Sequence, residues 1–205
     1  MPPFTVLHVC LGNICRSPMA ERLLALAVRE RLARRAAAEA DDADRLVHSH
    51  SAGTGGWHAG EEMNPPAARQ VRSRGGEVAD FGARKLRSEH IDAADLVLTA
   101  TADQQEYVVA LRPDAADRTF VLGEFGRLLP TVDAAALPPA DAADPDAVHA
   151  RGAALVAAVA AARSGSSPLP GDDLDDPWGR GDQCFSRVAD EIEEAVRPLA
   201  AVLLP

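Results

Sequence analysis

Aromatic side chains and cysteines are both scarce in this chain of 205 residues. Aromatic residues make up 4% of the sequence, which indicates a core built from Leu, Val and Ala. The three cysteines, Cys10, Cys15 and Cys184, are too few for the disulfide framework of a secreted domain. No cationic segment followed by an apolar one opens the chain, so we expect no signal peptide. The expected location is therefore a reduced, cytoplasmic one, which would protect a reactive thiol.

Positive charge is also in short supply, with 21 Lys and Arg against 31 Asp and Glu and a net charge of −10. Nucleic acids and anionic membranes favour proteins with a basic face, so neither is an expected partner. The longest Ala/Val run, Ala153–Ala162, is too short to span a membrane. The chain length suits one generous domain, and we predict a single domain over residues 1–205.

Strand-like and helix-like segments alternate along the chain. The predicted strands are Phe4–Val9, Leu46–Ser51, Asp95–Thr101 and Arg118–Leu122. The predicted helices are Ser17 to about Ala38, Pro65–Ser73, Glu89–Ala93, Ala102–Leu111 and Ser186–Leu204, with an acidic turn at Asp41–Arg45. This alternation predicts an α/β three-layer sandwich with a small, about four-stranded parallel sheet and helices on both faces. Ligands bind such sheets at the carboxyl ends of the strands.

The segment from about 131 to 170 differs in composition, because Ala, Pro, Asp and Ser dominate it. We predict that it is a helical insertion at the edge of the domain. Asp144-Pro145 can begin a helix that ends near Arg163. This helix is expected to be solvated and to carry no chemistry.

The loop that joins the first strand to the first helix has the features of an anion-binding site. Loop amides and the first helical N–H groups would point at one spot, and they would favour a thiolate at Cys10 beside Arg16. The Arg16 guanidinium can bind two phosphate oxygens at once. Gly12 allows close backbone approach, Asn13 suits a left-handed conformation, and Ser17 can hydrogen-bond to the thiolate and cap the helix. The other residues expected to line the phosphate are Leu11, Ile14 and Cys15.

A lone cysteine at a strand end is commonly just part of the core. The combination of Cys, five residues, Arg and Ser at a strand–helix junction favours a nucleophile instead. The segment Cys10-Leu-Gly-Asn-Ile-Cys-Arg-Ser-Pro-Met-Ala-Glu21 resembles the signature loop of the low-molecular-weight protein tyrosine phosphatases. The resemblance continues at Ser51–Thr54, Trp57–Gly60, Ala83–Leu86, Asp95–Leu98 and Asp176–Trp178, and it covers nearly the whole chain apart from the insertion. It implies a phosphatase I-like fold, similar to the flavodoxin and Rossmann arrangements, that uses no metal and no cofactor.

The resemblance also implies a mechanism. Cys10 would attack phosphorus to form a phosphocysteine, Arg16 would bind the phosphate oxygens, and water would hydrolyse the intermediate. We choose Asp176 as the general acid, because it directly precedes Pro177 and an aromatic residue as the family's acid does. The neighbouring Asp172, Asp173 and Asp175 are interpreted as solvated loop charges.

The expected substrate is a phosphotyrosine-bearing protein or peptide, with inorganic phosphate as a product. The resemblance places Trp57 and His58 on one side of the cleft and Trp178 on the other, and aromatic walls suit a phenyl ring. Ile14 stands where phosphoarginine-specific relatives tend to carry threonine, which favours phosphotyrosine. Packing of Trp57 into the core stays open as an alternative. His58 is expected to hydrogen-bond within its own loop rather than to take part in catalysis.

Some family features do not transfer to this chain. Trp178-Gly179-Arg180 stands where the family often has a pair of tyrosines, so regulation by their phosphorylation is not expected. The resemblance implies that Cys15 can form a reversible disulfide with Cys10; Cys184 is interpreted as structural.

Two other functions remain open. An arsenate reductase could use the same loop, but thioredoxin-coupled reductases need a cysteine pair around Phe81–His90, where this sequence has none. A reductase dependent on a thiol cofactor is still possible. A non-catalytic phosphate-binding module is the third possibility, although binding alone needs neither the nucleophile nor the acid.

Overall fold

A parallel sheet of four strands forms the centre of the computed structural model, which describes residues 2–34, 43–141 and 144–205. The strands are β1 (Phe4–Cys10), β2 (Val47–Gly53), β3 (Leu96–Thr99) and β4 (Thr119–Val121). Their order is β2-β1-β3-β4, and every neighbouring pair is parallel. All seven residues of β1 are buried, which explains its continuous apolar run. The predicted sheet is confirmed.

The helices lie on both faces of this sheet. They are α1 (Arg16–Ala33), α2 (Ala43–Leu46), α3 (Pro65–Ser73), α4 (Ser88–Asp92), α5 (Ala102–Leu111), α6 (Leu122–Leu128), α7 (Pro145–Arg163) and α8 (Asp182–Leu203). One face of β1, with Phe4 and Val6, packs into a core that α1 and α8 share, and the other face, with Leu7 and Val9, packs against residues of α4 and α5. The predicted three-layer sandwich is therefore confirmed.

Several predicted helix ends need correction or cannot be judged. Helix α1 begins at Arg16, so Ser17-Pro18 does not start it, and Ser17 does not cap it. The predicted extension to Ala38 and the first residues of the acidic turn at Asp41–Arg45 lie outside the described residues. Helix α8 begins at Asp182, before the expected Ser186, and continues past Pro198. Helix α6 was not predicted.

Helix α7 is not the solvated element that its composition suggested. One of its faces is buried, with Val148, Leu155 and Val159 fully inside the core. Gly152 lies directly against the Phe4 ring, because a Cβ at this position would be 2.4 Å from the nearest ring carbon. The expectation of a solvated helix is therefore wrong. That residues 131–170 form an insertion into a single domain stays a prediction.

The carboxyl ends of the strands form the edge at which the predicted site lies. Strand β1 ends at Cys10, and Val9 is paired with Thr99 while Cys10 is paired with Gly53. Among the helices that the structure describes, none combines the length and the apolar composition that a membrane crossing requires.

Candidate active site

The loop between β1 and α1 is held tightly against the end of β2. The Thr54 amide donates to the Cys10 carbonyl, and the Gly55 amide donates to the Leu11 carbonyl, both at 2.9 Å. A Cβ at Gly53 would lie 2.8 Å from the Leu11 carbonyl oxygen, so only glycine lets the two segments approach this closely. Asn13 has a φ of 56°, the left-handed conformation that the sequence predicted for it.

Cys10 lies at the base of this loop and is 2% exposed. Its Sγ is 2.9 Å from the Ser17 Oγ, and it accepts a hydrogen bond from the Asn13 amide at 3.3 Å. A hydroxyl and an amide are thus both placed to donate hydrogen bonds to the sulfur. The predicted contact between Ser17 and Cys10 is therefore present.

A chain of buried hydrogen bonds continues from Ser17 into the interior. The Asn13 Nδ2 donates to the Ser17 Oγ at 2.9 Å and to the Ser51 Oγ at 2.8 Å. The Ser51 hydroxyl donates to the Glu21 Oε2 at 2.6 Å, and the Arg84 amide donates to the Asn13 Oδ1 at 2.9 Å. This network fixes the Asn13 side chain on three sides and so fixes the loop.

Sequence reasoning did not assign Ser51 and Glu21 to the site. Both are buried, and burial raises the pKa of the Glu21 carboxyl above its ordinary value despite the hydrogen bond from Ser51. The available signal was polarity: a serine inside a buried strand and a glutamate inside a buried helix segment need partners. Their positions in the quoted family segments pointed the same way.

The second loop cysteine, Cys15, is a weaker candidate for ionisation. Burial, reinforced by the proximity of Cys10 and Asp176, raises the pKa of its thiol to about 12, and the nearby Arg16 only partly opposes this. The Cys15 thiol therefore stays protonated at neutral pH.

Arg16 joins the phosphate loop to the loop that carries Asp176. Its buried guanidinium donates from Nη1 to the Leu174 carbonyl at 3.2 Å, and Nη2 lies 3.3 Å from the Asp176 Oδ2. The Asp176 side chain is 51% exposed, and its other carboxylate oxygen accepts from the Trp178 amide at 3.2 Å. The structure thus brings Asp176, which is distant in the chain, to the loop that carries Cys10 and Arg16.

A pocket of about 210 Å³ opens above Cys10. Its lining residues are Cys10, Leu11, Gly12, Ile14, Cys15, Arg16, Trp57, His58, Asp176 and Trp178. All ten were predicted from the sequence; the remaining predicted residues, Asn13 and Ser17, are not among the lining residues and belong to the buried network beneath. Among the described residues, no group of His, Cys, Asp and Glu side chains is placed to hold a metal ion.

Two tryptophans form the outer walls of this pocket. Trp57 is 71% exposed and Trp178 is 64% exposed, so packing of Trp57 into the core is excluded. The Trp57 ring lies over Gly55, where a Cβ would come within 1.8 Å of the ring. The His58 Nδ1 is 2.8 Å from the Glu61 Oε2, which confirms the expected hydrogen bond within the loop.

The other aspartates of the loop that carries Asp176 differ in how far they are exposed to solvent. Asp172 is buried and forms a two-point ion pair with Arg127, whose hydrogen bond helps lower the pKa of that carboxyl although burial alone would raise it. Asp173 accepts from the Ala102 amide at the start of α5. Asp175 pairs with Arg187 at 2.6 Å. The interpretation as a solvated charge is wrong for Asp172, which is buried, whereas Asp173 and Asp175 are exposed and agree with it.

Comparisons with known proteins agree with this geometry. Residues 5–141 match the model of the low molecular weight phosphotyrosine protein phosphatase family. A low molecular weight protein-tyrosine-phosphatase of Streptomyces coelicolor is 36% identical over 132 residues, or 64% of this chain and 71% of that protein. Low molecular weight protein-tyrosine phosphatase A of Mycobacterium tuberculosis is 38% identical over 56% of this chain, and the match spans 63% of that protein.

A solved structure, the YwlE arginine phosphatase from Geobacillus stearothermophilus, superimposes with a TM-score of 0.61 and 26% identity. The superposition covers 97% of this chain and 92% of that one. The family model matches more than half of the described chain and includes the whole phosphate loop. The chain therefore belongs to the low molecular weight phosphotyrosine protein phosphatases, a family of hydrolases.

Proposed function

We propose that this protein hydrolyses phosphotyrosine, and aryl phosphate monoesters in general, through a phosphocysteine on Cys10. The observation that carries the proposal is the pocket in which Cys10, Arg16 and Asp176 converge between two exposed tryptophans. A phosphate-binding module would need the arginine and the loop amides only. A buried thiol and a carboxylic acid that line the same pocket suit a displacement reaction.

In the first step, the Cys10 sulfur attacks phosphorus as a thiolate. A new S–P bond forms while the bond between phosphorus and the phenolic oxygen breaks. Arg16 and the loop amides hold the phosphate oxygens as charge redistributes, and the Ser17 hydroxyl stabilises the sulfur before attack and leaves it when the S–P bond forms. Cys15 does not compete as a nucleophile, because its thiol remains protonated.

Asp176 supplies the proton that the leaving phenolate needs. Its carboxyl group lies in the pocket wall, with one oxygen facing Arg16 and about half of the side chain open to the cleft. In the second step, water attacks the phosphocysteine, the S–P bond breaks, and the Asp176 carboxylate takes a proton from that water. The products are inorganic phosphate and the regenerated thiolate.

The pocket walls favour a phenyl ring as the leaving group. The exposed Trp57 and Trp178 rings add flat apolar faces to the lining of the pocket, and Ile14 adds an aliphatic surface. A phosphoarginine substrate would place a charged guanidinium there instead. Because one similar structure is named as an arginine phosphatase, phosphoarginine is the alternative substrate against which phosphotyrosine has to be compared.

The central test is hydrolysis of aryl phosphates by the purified protein and its variants. Cys10→Ser should abolish turnover, and steady hydrolysis by this variant would refute the mechanism. Asp176→Asn should lower kcat/KM for phosphotyrosine by about 10²–10⁴-fold, the usual contribution of a positioned acid. Asp175→Asn is the matched control, because Asp175 is in the same loop but pairs with Arg187 outside the pocket.

A second measurement distinguishes the substrate classes. Peptides that carry phosphotyrosine or phosphoarginine are compared at equal concentration, with arsenate reduction measured in the presence of added thiol. A higher kcat/KM for the phosphotyrosine peptide is expected. Preference for phosphoarginine would overturn the substrate assignment, and arsenate reduction without phosphatase activity would overturn the reaction class.

A further inference from the structure

The loop that carries Asp176 is attached to the rest of the protein by the buried Leu174 side chain and by several polar contacts. The Leu174 amide donates to the Ala100 carbonyl at 2.8 Å, directly after β3. The Leu174 carbonyl accepts from Arg16, and the Asp173 carboxylate accepts from the Ala102 amide. The position of this short segment therefore sets both the acid and one contact of the phosphate-binding arginine.

Asp172 begins this segment and has the strongest attachment. It is 5% exposed, and Arg127 of α6 donates to both of its carboxylate oxygens, from Nε at 3.1 Å and from Nη2 at 2.8 Å. The same carboxylate accepts from the Leu169 amide at 2.7 Å. Planar two-point pairing fixes orientation as well as distance, which a single lysine contact could not do.

The backbone at Asp172 also rests directly on α6. A Cβ at Gly123 would lie 2.3 Å from the Asp172 carbonyl oxygen. Beside this contact, a cavity of about 400 Å³ separates the loop from α8, with Arg127, Leu174 and Glu194 among its lining residues. Since side chains fill the space behind the loop only in part, the ion pair contributes to holding it.

We propose that Arg127 is a positioning residue, which acts through Asp172 to hold Asp176 where it can protonate the leaving group. The inference rests on the proposed function and extends it, because Arg127 lies outside the pocket. Without Arg127, a buried carboxylate would lose its cation, and the segment from Asp172 to Asp176 would shift toward solvent.

The experiment compares leaving groups in the full-length protein. A tyrosine-like phenol has a pKa of about 10 and needs a proton as it leaves, whereas 2,4-dinitrophenol does not. The quantity measured is kcat/KM, which reports the steps up to P–O cleavage. Arg127→Gln should lower kcat/KM for phosphotyrosine about 10–100-fold, part of the roughly 10²–10⁴-fold effect of a positioned acid, with little change for dinitrophenyl phosphate.

Three further variants make the test decisive. Arg127→Lys keeps the charge without the two-point geometry and should give an intermediate loss. Asp172→Asn keeps the shape and can still accept from the Leu169 amide, so it tests the same pair if Arg127→Gln fails to fold. Arg112→Gln is the control, because Arg112 forms an equivalent two-point pair with Asp92 that is exposed and remote from the pocket.

An equal loss for both leaving groups would overturn the inference, since it would indicate general disruption or weaker phosphate binding. Unchanged kinetics in folded variants would overturn it as well. Failure of the proposed function looks different, because the wild-type protein would then hydrolyse neither ester. If Asp176→Asn shows the leaving-group dependence and the Arg127 and Asp172 variants do not, the proposed function stands and the positioning role is refuted.

Discussion

Asn13 holds the phosphate loop through both its backbone and its side chain, and the two contributions can be measured separately. At its φ of 56°, an alanine would cost about 1–2 kcal/mol, while glycine adopts this conformation freely. Glycine instead costs about 0.4–1 kcal/mol through the greater entropy of the unfolded chain. The backbone term therefore makes Asn13→Ala less stable than Asn13→Gly, by about 1 kcal/mol at the centre of these ranges.

The side-chain term is the same for both variants. Each loses two hydrogen bonds to serine hydroxyls that keep other partners, Cys10 and Glu21, at about 1 kcal/mol per bond. Each also leaves the part-buried Arg84 amide without its acceptor, at about 1–3 kcal/mol. The common loss is about 3–5 kcal/mol, a large share of the roughly 5–15 kcal/mol by which a domain is stable.

Urea denaturation of the wild type and the two variants measures these terms. Asp80 provides the matched control, because it has the same φ of 56° and is exposed, outside the network. At position 80 the glycine variant should again be more stable than the alanine variant, but without the loss that the two Asn13 variants share. If Asn13→Ala proves as stable as Asn13→Gly, the left-handed conformation is not what asparagine is needed for. Losses below about 1 kcal/mol in both would refute the network's role in holding the loop.

Three further predictions concern the core and the pocket wall. His8 is 1% exposed, and burial lowers its pKa to about 3, whereas histidine in the unfolded chain binds a proton near pH 6.5. The free energy of unfolding should therefore fall by about 1.4 kcal/mol per pH unit below pH 6.5, and urea denaturation at pH 7 and pH 5 should show a weaker pH dependence of stability in His8→Phe than in the wild type. Gly55→Ala should raise KM for aryl phosphates several-fold with little change in stability, because a methyl group at this position displaces the Trp57 ring from the wall of the pocket. An unchanged KM would argue against Trp57 as a substrate contact. Gly152→Leu should lower the unfolding free energy by about 1–3 kcal/mol, because its side chain collides with the Phe4 ring, and a thermal melt that matches the wild type would contradict the packing of α7.

The parts of the fold that local patterns determine could be predicted. Strand β1 is a continuous apolar run with all of its residues buried, and glycine and proline residues indicated where the neighbouring loops lie. Helix α6 could not be predicted, because it contains Gly123 and Gly126, each costing about 1 kcal/mol relative to alanine in a helix. Packing overrides that cost: Gly123 lies against the Asp172 backbone and Gly126 against Ala195.

Helix α7 shows the limit of reading burial from composition. It was correctly predicted as a helix from Asp144-Pro145 to Arg163, but alanine on nearly all sides gives it little contrast between an apolar and a polar face. The buried face contains Gly152, and the absence of a side chain at this position lets the helix approach the Phe4 ring. Such a long-range fit leaves no local signal in the sequence.

The same limit explains which site residues were found. The phosphate loop is contiguous, so its spacing together with its place at a strand–helix junction pointed to Cys10 and Arg16. Asp176 needed the resemblance, because its partner is 160 residues away in the chain. The ion pair between Arg127 and Asp172 joins segments that are 45 residues apart, and nothing in the local sequence of either residue predicts this partner.

The contact between Arg16 and Asp176 couples phosphate binding to proton transfer under the proposed function. The Arg16 guanidinium donates from Nη1 to the Leu174 carbonyl, while Nη2 lies 3.3 Å from the Asp176 carboxylate. A phosphate dianion that binds Arg16 has to take the place of this carboxylate, because two anions cannot share the remaining donors without strong repulsion. The displaced carboxyl group can then turn toward the oxygen of the leaving phenolate, which is the atom that needs a proton. Substrate binding thus prepares the acid, provided that the loop from Asp172 to Asp176 stays anchored while the carboxylate turns.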